Sequence, residues 1–129
     1  MKPFPSAQKA AKVLRVLGQP TRVRILLAIG GGEACVCHLE ASLKQRQAYI
    51  SQHLMALRKA DILAVRREGR YVFYRLKNAS LLDLVLGAAS LRGLSPESVS
   101  ALINTRVYPA CECPHCAPAV ISVESLNPA

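Results

Sequence analysis

Five cysteines stand in this 129-residue chain as two tight groups, Cys35-Val36-Cys37 and Cys111-Glu112-Cys113-Pro114-His115-Cys116. Thiolates act as nucleophiles, as redox couples and as ligands for soft cations. An odd number in two close-spaced clusters suits metal or redox chemistry better than a disulfide framework. A soft ion takes three or four thiolates, and Cys-x-Cys supplies two. The remaining ligands must come from far along the chain, and Cys111, Cys113 and Cys116 are the candidates. Three thiolates suit trigonal As(III), and four suit Cd(II), Pb(II) or Zn(II). His115 is an outside candidate for a further ligand. The plain alternative for Cys35 and Cys37 is burial as small apolar side chains. A redox use would fall to Cys113 and Cys116 as the reactive pair.

Composition bounds what can surround these thiols. The apolar fraction of 51% is enough for a core in one domain. Charge is uneven: residues 1–76 hold fourteen Lys and Arg against four Asp and Glu, net +10, whereas residues 77–129 hold three against four, net −1. A basic N-terminal part points to a polyanion, most simply nucleic acid. No apolar run approaches the roughly 20 residues that span a bilayer, and MKPFPSAQKAAK has no signal-peptide core. The expected compartment is the cytoplasm, where thiols stay reduced. Apart from Cys113, His115 and Cys116, no nucleophile–base pair is evident near a cysteine, so an enzyme is not expected. A thiol enzyme or small metal-handling protein is the remaining contrast.

The elements follow from periodicity and punctuation. Helices are expected from Ser6 to about Leu17, and from Thr21 to about Ile29 behind Pro20. Gly30-Gly31-Gly32 breaks the second helix, and a third runs from about Ala34 to Leu43. After a turn at Lys44 and Gln45, a fourth helix spans Arg46 to Ala60 with Ile50, Leu54 and Leu57 inward. Strands Leu63–Arg67 and Arg70–Leu76 form a hairpin turning at Glu68-Gly69, with Arg66, Arg67 and Arg70 at its tip. The helix Leu81–Leu91, capped by Asn78 or Ser80, is apolar on nearly every side. It reads as a dimer interface shared with the first helix. Ser95 caps a short helix to about Ile103. The division expected is a domain over 1–103 and a cysteine-containing tail over 104–129. Residues two apart on a regular helix point about 200° from each other. Cys35 must therefore precede the first helical turn, or the turn must distort, if both thiols are to reach one ion.

The stretch EACVCHLEASL…QAYISQHLMALRKADILAVRREGRYVFYRL resembles the ArsR/SmtB family of metal-responsive repressors. LGQPTRVRILLAI is similar to that family's second helix, usually written Asp-Pro-Thr-Arg where this chain has Gln19-Pro20-Thr21-Arg22. The likeness covers about residues 10–92. It implies a mainly α, winged helix-turn-helix homodimer of five to six helices with a two-stranded wing, released from operator DNA when metal binds. Cys35-Val36-Cys37 resembles the third-helix motif of arsenite and cadmium/lead sensors, commonly CVCD. Here His38 follows the pair, and Glu40 stands where the arsenite version has its third cysteine. Arg46 occupies the place of the usual Ser or Thr at the head of the recognition helix. The family's fifth-helix zinc site needs Asp and His, and this helix offers only Asp83, so that site is not expected. His38 and His53 are read as structural or DNA-facing.

The function expected is a repressor of double-stranded operator DNA that lets go when As(III), Cd(II) or Pb(II), ahead of Zn(II), is bound by Cys35, Cys37, Cys111, Cys113 and Cys116. Gln47, Tyr49, Ser51 and Gln52 would meet the groove. Arg66, Arg67 and Arg70 would meet the backbone or minor groove, with Lys44, Arg46 and Lys59 on phosphates. The alternative is a thiol redox or persulfide sensor of the same fold.

Overall fold

The computed structural model describes residues 5–101 and residue 103. Among them the order is α1 (Pro5–Leu17), α2 (Pro20–Ile29), β1 (Glu33–Cys35), α3 (Val36–Leu43), α4 (Gln47–Lys59), β2 (Leu63–Glu68), β3 (Tyr71–Leu76), α5 (Ser80–Leu91) and α6 (Pro96–Ser100). The expected tail, with Cys111, Cys113, His115 and Cys116, lies outside the described residues.

The second helix is the centre of the fold. Gln19 precedes it with extended backbone, Pro20 starts it, and Ile25 to Ile29 are all buried. It packs on α3, α4, α5, β1 and β3, so it has no solvent face in its second half. Each fully buried aliphatic side chain contributes roughly 1.5–3 kcal/mol of transfer free energy. The helix stops at Gly30, whose φ of 59° and ψ of −142° are open to glycine alone among common residues. A Cβ there would also meet the Ile103 side chain at 2.9 Å.

The strand β1 departs from the sequence expectation. Ala34 and Cys35 belong to a short strand rather than to the third helix, which begins only at Val36. The sheet is antiparallel in the order β1-β3-β2, with Glu33, Ala34 and Cys35 opposite Arg75, Tyr74 and Phe73. The hairpin turns at Gly69-Arg70 rather than Glu68-Gly69, since Glu68 pairs with Tyr71. Gly69 has φ 58° and no positive φ falls on Arg70, the pattern of a two-residue turn with glycine first.

The fifth helix is apolar as expected, yet only Leu81 and Val85 are buried. Leu84 and Leu91 are exposed, as is Leu14 of α1. Asn78 Oδ1 accepts from the Ser80 N–H at 2.9 Å, and Ser95 Oγ caps α6 by accepting from Ser98 N–H at 3.2 Å.

Candidate nucleic-acid interface and thiol pair

The turn between α3 and α4 begins at Lys44, which takes the left-handed conformation at φ 55° and donates its N–H to Glu40 O at 2.8 Å. Arg46 is the N-cap of α4 and makes no side-chain cap bond; its carbonyl accepts from Ile50 N–H at 3.1 Å. Ile50, His53, Leu54 and Leu57 turn inward and are buried. Gln47, Gln52, Met55, Arg58 and Lys59 remain exposed, and Ser51 is half-buried. Gln47, Ser51, Met55 and Lys59 recur every fourth residue and so share one face. That face offers an amide, a hydroxyl, an apolar contact and a cation, with no carboxylate.

Two side-chain bridges fix α4 against α2. Tyr49 Oη and Thr21 Oγ1 are 3.0 Å apart. Arg22 Nε donates to His53 Nδ1 at 3.1 Å while its Nη1 donates to Val16 O at 2.9 Å. The Tyr49 and His53 rings meet edge-on at 4.8 Å. Burial first, and the Arg22 charge second, push the His53 imidazole below its ordinary 6.5. His53 is therefore neutral near pH 7, with Nδ1 as acceptor, and its role is structural. Sequence reasoning missed this bridge, although His53 follows Ile50 by three places and so falls on the buried face.

The thiol pair lies at the strand–helix junction. Cys35 is both the last residue of β1 and the N-cap of α3, with extended backbone at φ −87° and ψ 168°. Its Sγ accepts from the His38 N–H at 3.4 Å. Cys37 sits in the first turn, and the two sulfurs are 2.7 Å apart. Cys35 thus precedes the helix, and no distortion of α3 is needed for convergence. No disulfide joins Cys35 to Cys37. Among the described residues no group of three or more His, Cys, Asp or Glu is placed to hold a metal.

The pair is built against the middle of the hairpin. Cys35 packs on Phe73, which is fully buried, and Cys37 and Tyr71 lean on the same cluster. The Arg66 guanidinium lies 4.7 Å over the Phe73 ring. It also donates to both carboxylate oxygens of Glu33, at 2.5–3.2 Å, and reaches Glu68 at 3.5 Å. Glu33, two residues before Cys35, is a site residue that the sequence reading did not single out. Arg67 and Arg70 are exposed near the turn; Arg70 lies 5.3 Å over the Tyr71 ring and donates to its hydroxyl.

A helix pair with an outward polar face, followed by a basic hairpin, defines a winged helix-turn-helix DNA-binding module. Residues 19–65 match the family model described as bacterial regulatory protein, arsR family. The chain is 38% identical over 79 residues to an uncharacterized HTH-type transcriptional regulator of Methanocaldococcus jannaschii, covering 60% of this chain and 89% of that one. It is 48% identical over 65 residues to the arsenic resistance transcriptional regulator ArsR1 of Pseudomonas putida, a match to 50% of this chain and about half, 51%, of that protein. Among solved structures, the transcriptional repressor BigR of Xylella fastidiosa is similar with a TM-score of 0.61 at 32% identity, over 66% of this chain and 87% of BigR. The chain belongs to the ArsR family. It is a DNA-binding transcriptional regulator, as its relatives are.

Proposed function

We propose that the chain is a homodimeric repressor that leaves its operator when a soft thiophilic ion, As(III), Cd(II) or Pb(II), is bound by cysteine thiolates. The observation that carries this reading is the side-by-side placement of the Cys35 and Cys37 sulfurs against Phe73, midway along the wing. Two soft donors at one point suit part of a thiolate shell. The similarity to an arsenic resistance regulator supports the same chemistry. Cys111, Cys113 and Cys116 are the proposed source of the remaining ligands, and the bound ion would supply a cross-link between segments far apart in the chain.

In this reading Gln47, Ser51 and Gln52 meet base edges, with Tyr49 at the margin of the contact. Lys44, Arg46, Lys59, Arg67 and Arg70 contact phosphates. Arg66 reaches the backbone only by relinquishing Glu33. The dimer forms through α1 and α5. Between them and α2 runs an apolar groove of about 660 Å³, lined by Leu14, Leu17, Val23, Leu84, Ala88 and Leu94, which a second copy would cover.

The test is titration of As(III), Cd(II), Pb(II) and Zn(II) into the reduced protein bound to fluorescent promoter DNA. Soft ions should lower the anisotropy of the native chain, and Cys35→Ser or Cys37→Ser should abolish that response. Survival of the response in both variants overturns the reading. Survival with Ser at Cys111, Cys113 and Cys116 removes the distant ligands from it.

A further inference from the structure

We infer that Met55, with Ala48 two turns before it, is a specificity-determining contact of α4 that reads the C5-methyl group of thymine in the major groove. This deepens the proposed contact of α4 with base edges and rests on it. Met55 is 59% exposed and belongs to neither hydrophobic cluster of the described residues. Its place on the helix is the reason. At about 100° per residue, the buried Ile50, His53, Leu54 and Leu57 centre on one direction. Ala48 and Met55 lie close to the opposite direction, about 20° from each other, and both are exposed. Gln47 and Ser51 flank this strip on one side, Gln52 lies on the other, and Lys59 follows one turn after Met55. The part of α4 farthest from the core is therefore apolar, with polar groups at both margins.

Charge favours DNA over a second copy as the occupant of this face. The helix α4 contains no Asp or Glu, and Lys44, Arg46, Arg58 and Lys59 lie just before it or along it, all exposed. A second basic face of the same kind would be repelled, whereas the phosphates on both walls of a groove are attracted. Among the hydrogen-bonding edges of the groove floor, the thymine methyl is the apolar group. A thioether has no strong donor or acceptor for the other edges, and its unbranched chain adapts to a methyl. Two turns separate Ala48 from Met55, about 10.5 Å of helix, against about 3.4 Å for each base pair. The strip thus spans up to about three base steps, room for methyls at two positions. The Gln52 amide at its margin suits adenine N6 and N7, so the face as a whole favours A·T pairs.

The experiment uses the full chain in chelator and two fluorescent promoter duplexes of one sequence, the second carrying deoxyuridine in place of every thymidine. Deoxyuridine lacks the methyl and keeps the pairing. The native chain should bind the uridine duplex more weakly, by about four-fold for each methyl contacted. That penalty should shrink by about four-fold or more in Met55→Ala. It should shrink likewise in Met55→Gln, which keeps the length of the side chain without its apolar end. Comparing penalties cancels any change in duplex stiffness, which every chain meets alike. An equal penalty in native and variant chains overturns the inference. A Met55→Ala change in the sedimentation of the DNA-free chain overturns it too, by putting Met55 between copies. Gln52→Ala tells the two levels apart. If it weakens binding while the uridine penalty stays equal, α4 reads bases without Met55; if neither substitution alters binding, the groove contact of α4 itself fails.

Discussion

His53 shows how one side chain ties acidity to the placement of the reading helix. Its Nδ1 accepts from Arg22, and protonation would set two cations against each other behind Tyr49. The folded state holds this imidazole below 6.5, so the unfolded chain binds its proton first as pH falls. The stabilisation is complete above 6.5 and is lost as pH drops from there through the lower folded value. Urea melts at pH 7.5 and 5.5 should show native stability falling with acidity. The fall should be shallower in His53→Gln, which lacks the group that titrates. Equal slopes would remove His53 from the acid response.

At the scale of elements, the unexpected strand matters most. The helices α1, α2, α4, α5 and α6, and the hairpin, were legible because apolar periodicity, Pro20, Gly30, Gly69 and Ser95 mark them locally. Glu33-Ala34-Cys35 carries no such mark. It is extended because β3, some forty residues later, pairs with it, and a three-residue strand shows too little alternation to read. The 2.7 Å thiol contact was equally hidden, since it depends on Cys35 lying outside the helix. The pairing also explains Arg66. A tip with three arginines looked like a place waiting for phosphate, but the ion pair with Glu33 already answers one of them. Arg66 is solvent-exposed, so the pair contributes little to stability. Its larger effect is on DNA. Glu33→Gln should free Arg66, tighten operator binding at low salt, and steepen the slope of log K against log salt by about one phosphate contact. An unchanged slope would leave Arg66 out of the DNA contact.

Over the whole molecule, charge and apolar surface are segregated. Cations concentrate in residues 1–76, while exposed leucines gather on α1, α5 and the segment after it. Leu14, Leu84, Leu91 and Leu94 together are more apolar exposure than a lone chain of this size has reason to keep. Leu14→Glu should turn the proposed dimer into a monomer in sedimentation velocity. Its far-ultraviolet spectrum should be unchanged, because Leu14 is already 56% exposed in the single chain. Operator affinity should fall at least about ten-fold, since each half-site then binds alone. A variant that still sediments as a dimer would place the interface elsewhere.

The middle position of β3 carries one more consequence. Phe73, Tyr74 and Arg75 are flanked on both sides, by β1 and β2, whereas Tyr71 and Val72 face β2 alone. A single strand therefore passes from clamped to hinged within two residues. Deuterium uptake should report it as a step in protection along the strand, slow amides at its inner end and quick ones toward the loop. The proposed DNA-contacting arm extends from a fixed shoulder, and Cys35 and Cys37 stand at that shoulder.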